Sequence, residues 1–190
     1  MGGPYACAAA IKLKDRIKKL LLISAGDVPR TREEFAQSIP TYRFAQRLAR
    51  DFPSGYRLFY NLMVKGMLKN EKKFFDNLAQ DLVPEEAQLF KSDGFCRQFF
   101  DGFRECNKQG GYHTARDVLL VMKDWGFEPE EIEVPVQLWH GAEDRHVPVA
   151  LGKKYADALP DSELITVPGA GHFMAYRNFD QILERFLADA

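Results

Sequence analysis

The sequence is poor in the features that mark several protein classes. Cysteine occurs three times, at Cys7, Cys96 and Cys106, an odd count with no CxxC pair. That spacing argues against a disulfide framework or a zinc knuckle and points to a reducing compartment, the cytoplasm. Charge of one sign is missing too: 26 Lys and Arg stand against 27 Asp and Glu, a formal net charge of −1. Nothing in that balance calls for a nucleic-acid or anionic-membrane partner. No apolar run approaches the ~18 residues of a membrane span. The N-terminus lacks the basic-then-apolar order of a signal peptide, and Ala6 stands where a myristoylation signal has Ser or Thr. His140, His146 and His172 have no HxxxH or HExxH spacing, so no metal or cofactor site is expected. Internal repeats and low-complexity tracts are absent. Serine is scarce: Ser24, Ser38, Ser54, Ser92 and Ser162 are the five, and none lies in Gly-x-Ser-x-Gly.

What is present is an ordinary globular composition, 46% hydrophobic and 28% charged over 190 residues, enough for one sizeable core. The organising stretch runs from Val134 to Phe173. An apolar run, Val134–Trp139, stops at His140-Gly141-Ala142-Glu143-Asp144, and a second, Leu164–Val167, stops at Pro168-Gly169-Ala170-Gly171-His172. Each reads as a buried strand ending in a glycine-containing turn that delivers a polar residue. Pro148–Ala158 between them reads as a helix, so the unit is a crossover with parallel strands. Reactive side chains gather beyond the carboxyl ends of such strands. His172 comes 28 residues after Asp144, one crossover later. A carboxylate there can fix the imidazole tautomer and stabilise the imidazolium, so that the ring acts as a base. Taken singly, Asp144 is a common turn residue and His172 a common structural histidine; the pairing is what carries the chemistry.

Upstream, Pro4–Leu13 reads as a helix of small residues and Ile17–Ser24 as a buried parallel strand, broken after Ser24 by residues 25–29. From Arg30 to Pro129 no strand pattern occurs. Thr31-Arg-Glu-Glu34 is a capping box that opens a helix, which Pro40 ends or kinks. Tyr42–Phe52, Pro53–Leu68, Glu71–Leu82, a short segment at Pro84, a helix capped by Asp93 that runs to Asn107 before Gly110-Gly111, and His113–Trp125 complete an all-helical stretch. Its aromatic residues, Phe35, Tyr42, Phe44, Tyr56, Phe59, Tyr60, Phe74, Phe75, Phe99, Phe100 and Phe103 among them, read mainly as its own core. Asn178–Ala188 closes the chain as an amphipathic helix with Phe179, Ile182, Leu183, Phe186 and Leu187 inward. His140 reads as a loop-holding residue, His146 as solvated, and Cys7 as a small buried residue.

HGAEDRHVP and, further on, PGAGHF resemble the acid and histidine loops of the α/β-hydrolase superfamily, and Met1-Gly2-Gly3-Pro4 resembles the residues just after its nucleophile elbow. The resemblance implies an α/β fold: the C-terminal part of an α/β-hydrolase, about three parallel strands with flanking helices and a helical cap insertion. It divides the chain into a core, residues 1–29 and 130–190, and a cap, 30–129; a helical domain with no lid role is the alternative. It selects Asp144 over Glu143, because the family's acid falls four residues after the histidine of the His-Gly pair. Asp144 and His172 become the second and third members of a triad whose nucleophile would precede Met1, and the Met1 backbone nitrogen becomes an oxyanion-hole donor, here a free amine. The expectation is therefore a fragment, or a natural truncation, of a hydrolase of apolar esters, inactive by itself. Its substrate would be a small molecule, with some cap aromatics lining an apolar pocket, and the uncovered sheet edge would favour self-association. Met-Gly-Gly-Pro matches the serine branch of the superfamily. Two other readings stay open: an epoxide hydrolase or dehalogenase with an aspartate nucleophile, and a non-catalytic binding protein.

Overall fold

The structure is a computed structural model. It describes residues 2–26 and 31–188, without the side chain of Phe35. The chain divides into two compact units, Met1–Ser38 with Asp124–Ala190, and Ile39–Lys123.

The first unit is built on a three-stranded parallel sheet in the order β1 (Leu20–Ile23), β2 (Val136–Gly141), β3 (Ser162–Val167). In register, Leu20 lies beside Val136, Leu22 beside Leu138, and Ile23 beside Trp139, which in turn faces Ile165. The alternation of strand side chains sends these residues to opposite faces. Leu20, Leu22, Val136 and Leu138 join Cys7 and Ala10 of α1 (Gly3–Lys12) and Tyr155, Ala156 and Leu159 at α9 (Val149–Ala158) in one core. Trp139, Leu21, Ile23 and Ile165 join Met174 and Ile182 of the α10 region (α10, Ala175–Ala188) in another. The sheet is thus covered on both faces, the arrangement parallel sheets require. Gln137 is buried there because it is satisfied: its Oε1 accepts from Trp139 Nε1 at 2.9 Å and its Nε2 donates to Glu163 at 3.1 Å.

Two strand boundaries differ from the sequence expectation. β2 begins at Val136, because Pro135 has no N–H to give to a ladder. It continues through His140 and Gly141, which pair with Thr166 and Val167. β1 is confined to Leu20–Ile23: Pro135 O takes the Leu20 N–H and Trp139 O takes the Ser24 N–H, so pairing leaves no role for Ile17–Lys19. Thr31 and Glu34 form the reciprocal capping box of α2 (Arg32–Gln37).

The second unit is helical: α3 (Pro40–Asp51), α4 (Pro53–Lys69), α5 (Glu71–Ala79), α6 (Pro84–Ala87), α7 (Asp93–Cys106) and α8 (Gly111–Val121). Pro40 and Pro53 each start a helix, where the missing N–H has no intrahelical partner to lose. The cap of α7 is Ser92, whose Oγ accepts from Phe95 N, and not Asp93, which is its first helical residue. Gly111 opens α8 instead of closing α7; a Cβ there would press on the Asn61 and Tyr60 backbone. The core of this unit gathers Ala49, Tyr56 and Ala115 with Phe59 and Tyr60 against them, and Phe74 packs against Phe75, Phe103 and buried Phe100 with centroids 4.9–5.4 Å apart. Phe44, by contrast, is 56% exposed.

α10 departs most from its sequence pattern. It starts three residues earlier than the periodicity suggests, and of its apolar stripe only Ile182 is buried, while Phe179 and Leu187 are 55% and 58% exposed. Burying one such side chain stabilises by about 1.5–3 kcal/mol; α10 realises that gain in full at Ile182.

Candidate active site

The carboxyl ends of β2 and β3 deliver two turns that interlock. Ala142 N–H donates to Val167 O at 3.0 Å, and Glu143 N–H donates to Ala170 O at 2.9 Å. This approach requires glycine at 141, since a Cβ there would overlap the carbonyl oxygens of Gly171 and Ala170. The lock aims Asp144 inward, its side chain fully buried, and leaves Glu143 exposed.

Asp144 is heavily bonded. Its Oδ1 accepts from the backbone N–H of His146 at 2.8 Å and of Val147 at 2.9 Å. Its Oδ2 accepts from His172 Nδ1–H at 2.8 Å. Because a carboxylate can only accept, Nδ1 is the donor of this bond, and the neutral form of the ring has its lone pair on Nε2. The His172 side chain is 31% exposed, so that lone pair belongs to a ring open to solvent on one side. Asp144 and His172 are thereby brought together at the end of adjacent parallel strands. Met1, read from the resemblance as an oxyanion donor, lies outside the described residues.

The other two histidines of this region complete the surroundings. His140, with none of its surface exposed, donates from Nε2 to Val147 O at 2.8 Å and lies 3.5 Å from Asp144 Oδ2. Its ring fits only because residue 152 is glycine; a Cβ there would stand 2.5 Å from Nδ1. His146 is not solvated, as its sequence setting suggested. It is 6% exposed, and its ring stacks on His172 with centroids 5.1 Å apart and planes at 28°. Its N–H bond to Asp144 turns the residue inward, a tertiary effect that no local pattern announces. Ser24, at the end of β1, reaches the same turn: its Oγ donates to His172 O at 3.1 Å. Among the described residues no group of three or more His, Cys, Asp or Glu side chains is arranged to hold a metal ion.

A buried carboxylate bonded to the imidazole of the next strand end is an arrangement in which the acid fixes the tautomer of the ring. Comparison with known proteins gives the family. A family model described as alpha/beta hydrolase fold matches residues 1–179. The chain belongs to that family. It is similar to acyl-protein thioesterase 1 of Gibberella zeae, 31% identical over 134 residues, which are 63% of this chain and 57% of that protein. It is also similar to the bifunctional esterase/perhydrolase DCH of Acinetobacter calcoaceticus, 28% identical over 134 residues, 62% of this chain and 48% of the relative. Among solved structures, the enol-lactonase of Burkholderia xenovorans LB400 superimposes with a TM-score of 0.64 at 18% identity, covering 99% of this chain and 62% of its own. That likeness concerns the fold. The chain thus spans about half to three fifths of these proteins. No helix among the described residues is long and apolar enough to cross a membrane.

Proposed function

We propose that this chain contributes the acid and the base of a Ser-His-Asp hydrolase acting on a small ester or related acyl compound, with the serine outside the chain. The observation that carries the proposal is the 2.8 Å bond from His172 Nδ1–H to a buried Asp144 at the ends of β2 and β3. In this reading His172 Nε2 takes the proton of the attacking serine and returns it to the leaving group, while Asp144 holds the tautomer and stabilises the imidazolium. The backbone nitrogen at position 1 donates to the oxyanion, and residues 30–129 act as the family's cap and select an apolar acyl group. Similarity to a thioesterase and an esterase supports the acyl class. Free Cys7, Cys96 and Cys106 suit a reducing cytoplasm, and the open side of β1 suits self-association.

The test is esterase turnover with p-nitrophenyl acyl esters. The chain alone is expected to give none above background, since an acid–histidine pair without a nucleophile has nothing to acylate. When an N-terminal segment of a relative that ends in the strand and the nucleophile serine is joined directly ahead of Met1, turnover is expected, and Asp144→Asn or His172→Ala lowers kcat by about 10⁴-fold. Turnover that survives His172→Ala sinks the proposal. Hydrolysis of epoxides or haloalkanes, with none of esters, moves it to an aspartate nucleophile.

A further inference from the structure

We infer that Ser24 is a positioning residue for His172: its left-handed backbone aims a hydroxyl at the His172 carbonyl and holds the histidine turn over Asp144. The inference rests on the acid–histidine reading above and extends it to a third strand end.

Ser24 is unusual in its backbone. Among the described residues it alone, glycines aside, has a positive φ, at 48°. An L-residue there crowds its own Cβ against the following carbonyl, so the conformation persists only where the surroundings over-determine it. Glycine would adopt it without strain. The surroundings of Ser24 supply two constraints. Its N–H is still tied to the ladder, donating to Trp139 O at 2.8 Å. Its Oγ donates to His172 O at 3.1 Å, bridging positions 148 residues apart. The serine therefore keeps a strained backbone and contributes one thing glycine lacks, a hydroxyl on the main chain of the histidine.

The consequence is geometric. His172 sits in a turn between β3 and α10, and a turn residue has little of its own to fix it. Asp144, delivered by β2, holds the Nδ1 end of the ring. Ser24, delivered by β1, holds the backbone from which the ring springs. With both ends held, Nε2 has one direction. With the Ser24 bond gone, the His172 end of the turn, beyond the Glu143–Ala170 bond, can shift and the Nδ1–H bond loses its alignment, although neither Asp144 nor His172 has changed.

Proton NMR of the intact chain reads this directly. The wild type is expected to give a slowly exchanging, strongly downfield Nδ1–H resonance assigned to His172 by its loss in Asp144→Asn. In Ser24→Ala, which keeps the backbone demand and removes the hydroxyl, the proton is expected to exchange roughly tenfold faster or to vanish, the factor one lost hydrogen bond is worth. Ser24→Gly removes hydroxyl and strain together. It should melt at or above the temperature of Ser24→Ala and still lose the resonance, which separates positioning from stability. An unchanged resonance and exchange rate in both variants, in a wild type that has the signal, overturns the role of Ser24 and leaves the Asp144–His172 pair standing. Absence of the resonance from the wild type overturns both.

Discussion

Cys7 sits on α1 with none of its surface exposed, and the Tyr155 hydroxyl donates to its Sγ at 2.9 Å. Burial pushes the thiol's pKa up, and the Tyr155 bond opposes that by less. An unfolded cysteine titrates near pH ~8.5. A folded pKa above the unfolded one means that the neutral thiol's contribution to stability is fully present below about pH 8.5 and fades as pH rises through the folded value. At pH 8, Ellman's reagent should label exposed Cys106 first and Cys7 only on global unfolding. Labelling of Cys7 at the rate of Cys106 would contradict this packing. The sequence made Cys7 legible, since a cysteine among alanines on a helix is a packing residue. The loops of Asp144 and His172 were legible for another reason: a strand end, a glycine turn and one crossover already bring them together, while the choice of Asp144 over Glu143 came from the resemblance. His146 and Ser24 were not. The burial of one arises from a backbone bond to Asp144 and a ring stack, and the handedness of the other from a contact 148 residues away.

The two turns after β2 and β3 behave as one element, and Gly141 is where they touch. A methyl group at 141 meets backbone oxygen on the opposite turn, which has no rotamer by which to give way. Gly141→Ala should therefore separate the turns, break the Glu143–Ala170 bond and lengthen the Asp144–His172 contact. A loss of roughly 1–3 kcal/mol of stability is expected by chemical denaturation, together with loss of the His172 Nδ1–H resonance. Retention of both would mean that the turns are not coupled. The glycine was visible as a turn residue in the sequence, but the backbone facing it was not. The strands were legible from their apolar runs, whereas their ends were set by pairing: Pro135 cannot donate, and His140 and Gly141 find partners in Thr166 and Val167. For α10 the 3.6-residue period located the stripe correctly, but a period describes a helix face and not what covers it. Of its residues Ile182 is the buried one.

The sheet of the first unit is covered on both faces, but one strand edge and several apolar side chains of the unit are not. Among the described residues β1 has a strand neighbour on one side only. The same unit exposes Tyr5 by 51%, Leu13 by 44%, Tyr176 by 57%, Phe179 by 55% and Leu187 by 58%. An open strand edge presents N–H and C=O groups in a row, a template for pairing with another chain, and the apolar side chains of α1 and α10 add a non-directional attraction. If a contact with another molecule then strands a few backbone groups away from water, each costs about 1–3 kcal/mol, against a typical total stability of about 5–15 kcal/mol. Pairing β1 with a second copy satisfies those groups and covers the apolar surface in one step. The isolated chain is therefore expected to form dimers or larger species whose population rises with concentration. Covering the β1 edge with a further strand, as in the fusion used for the turnover test, should shift the chain toward monomer. Size-exclusion chromatography with light scattering across a concentration series reads both states. A monomer at every concentration that unfolds in one cooperative transition would show that the β1 edge and the faces of α1 and α10 are stable in water as they stand.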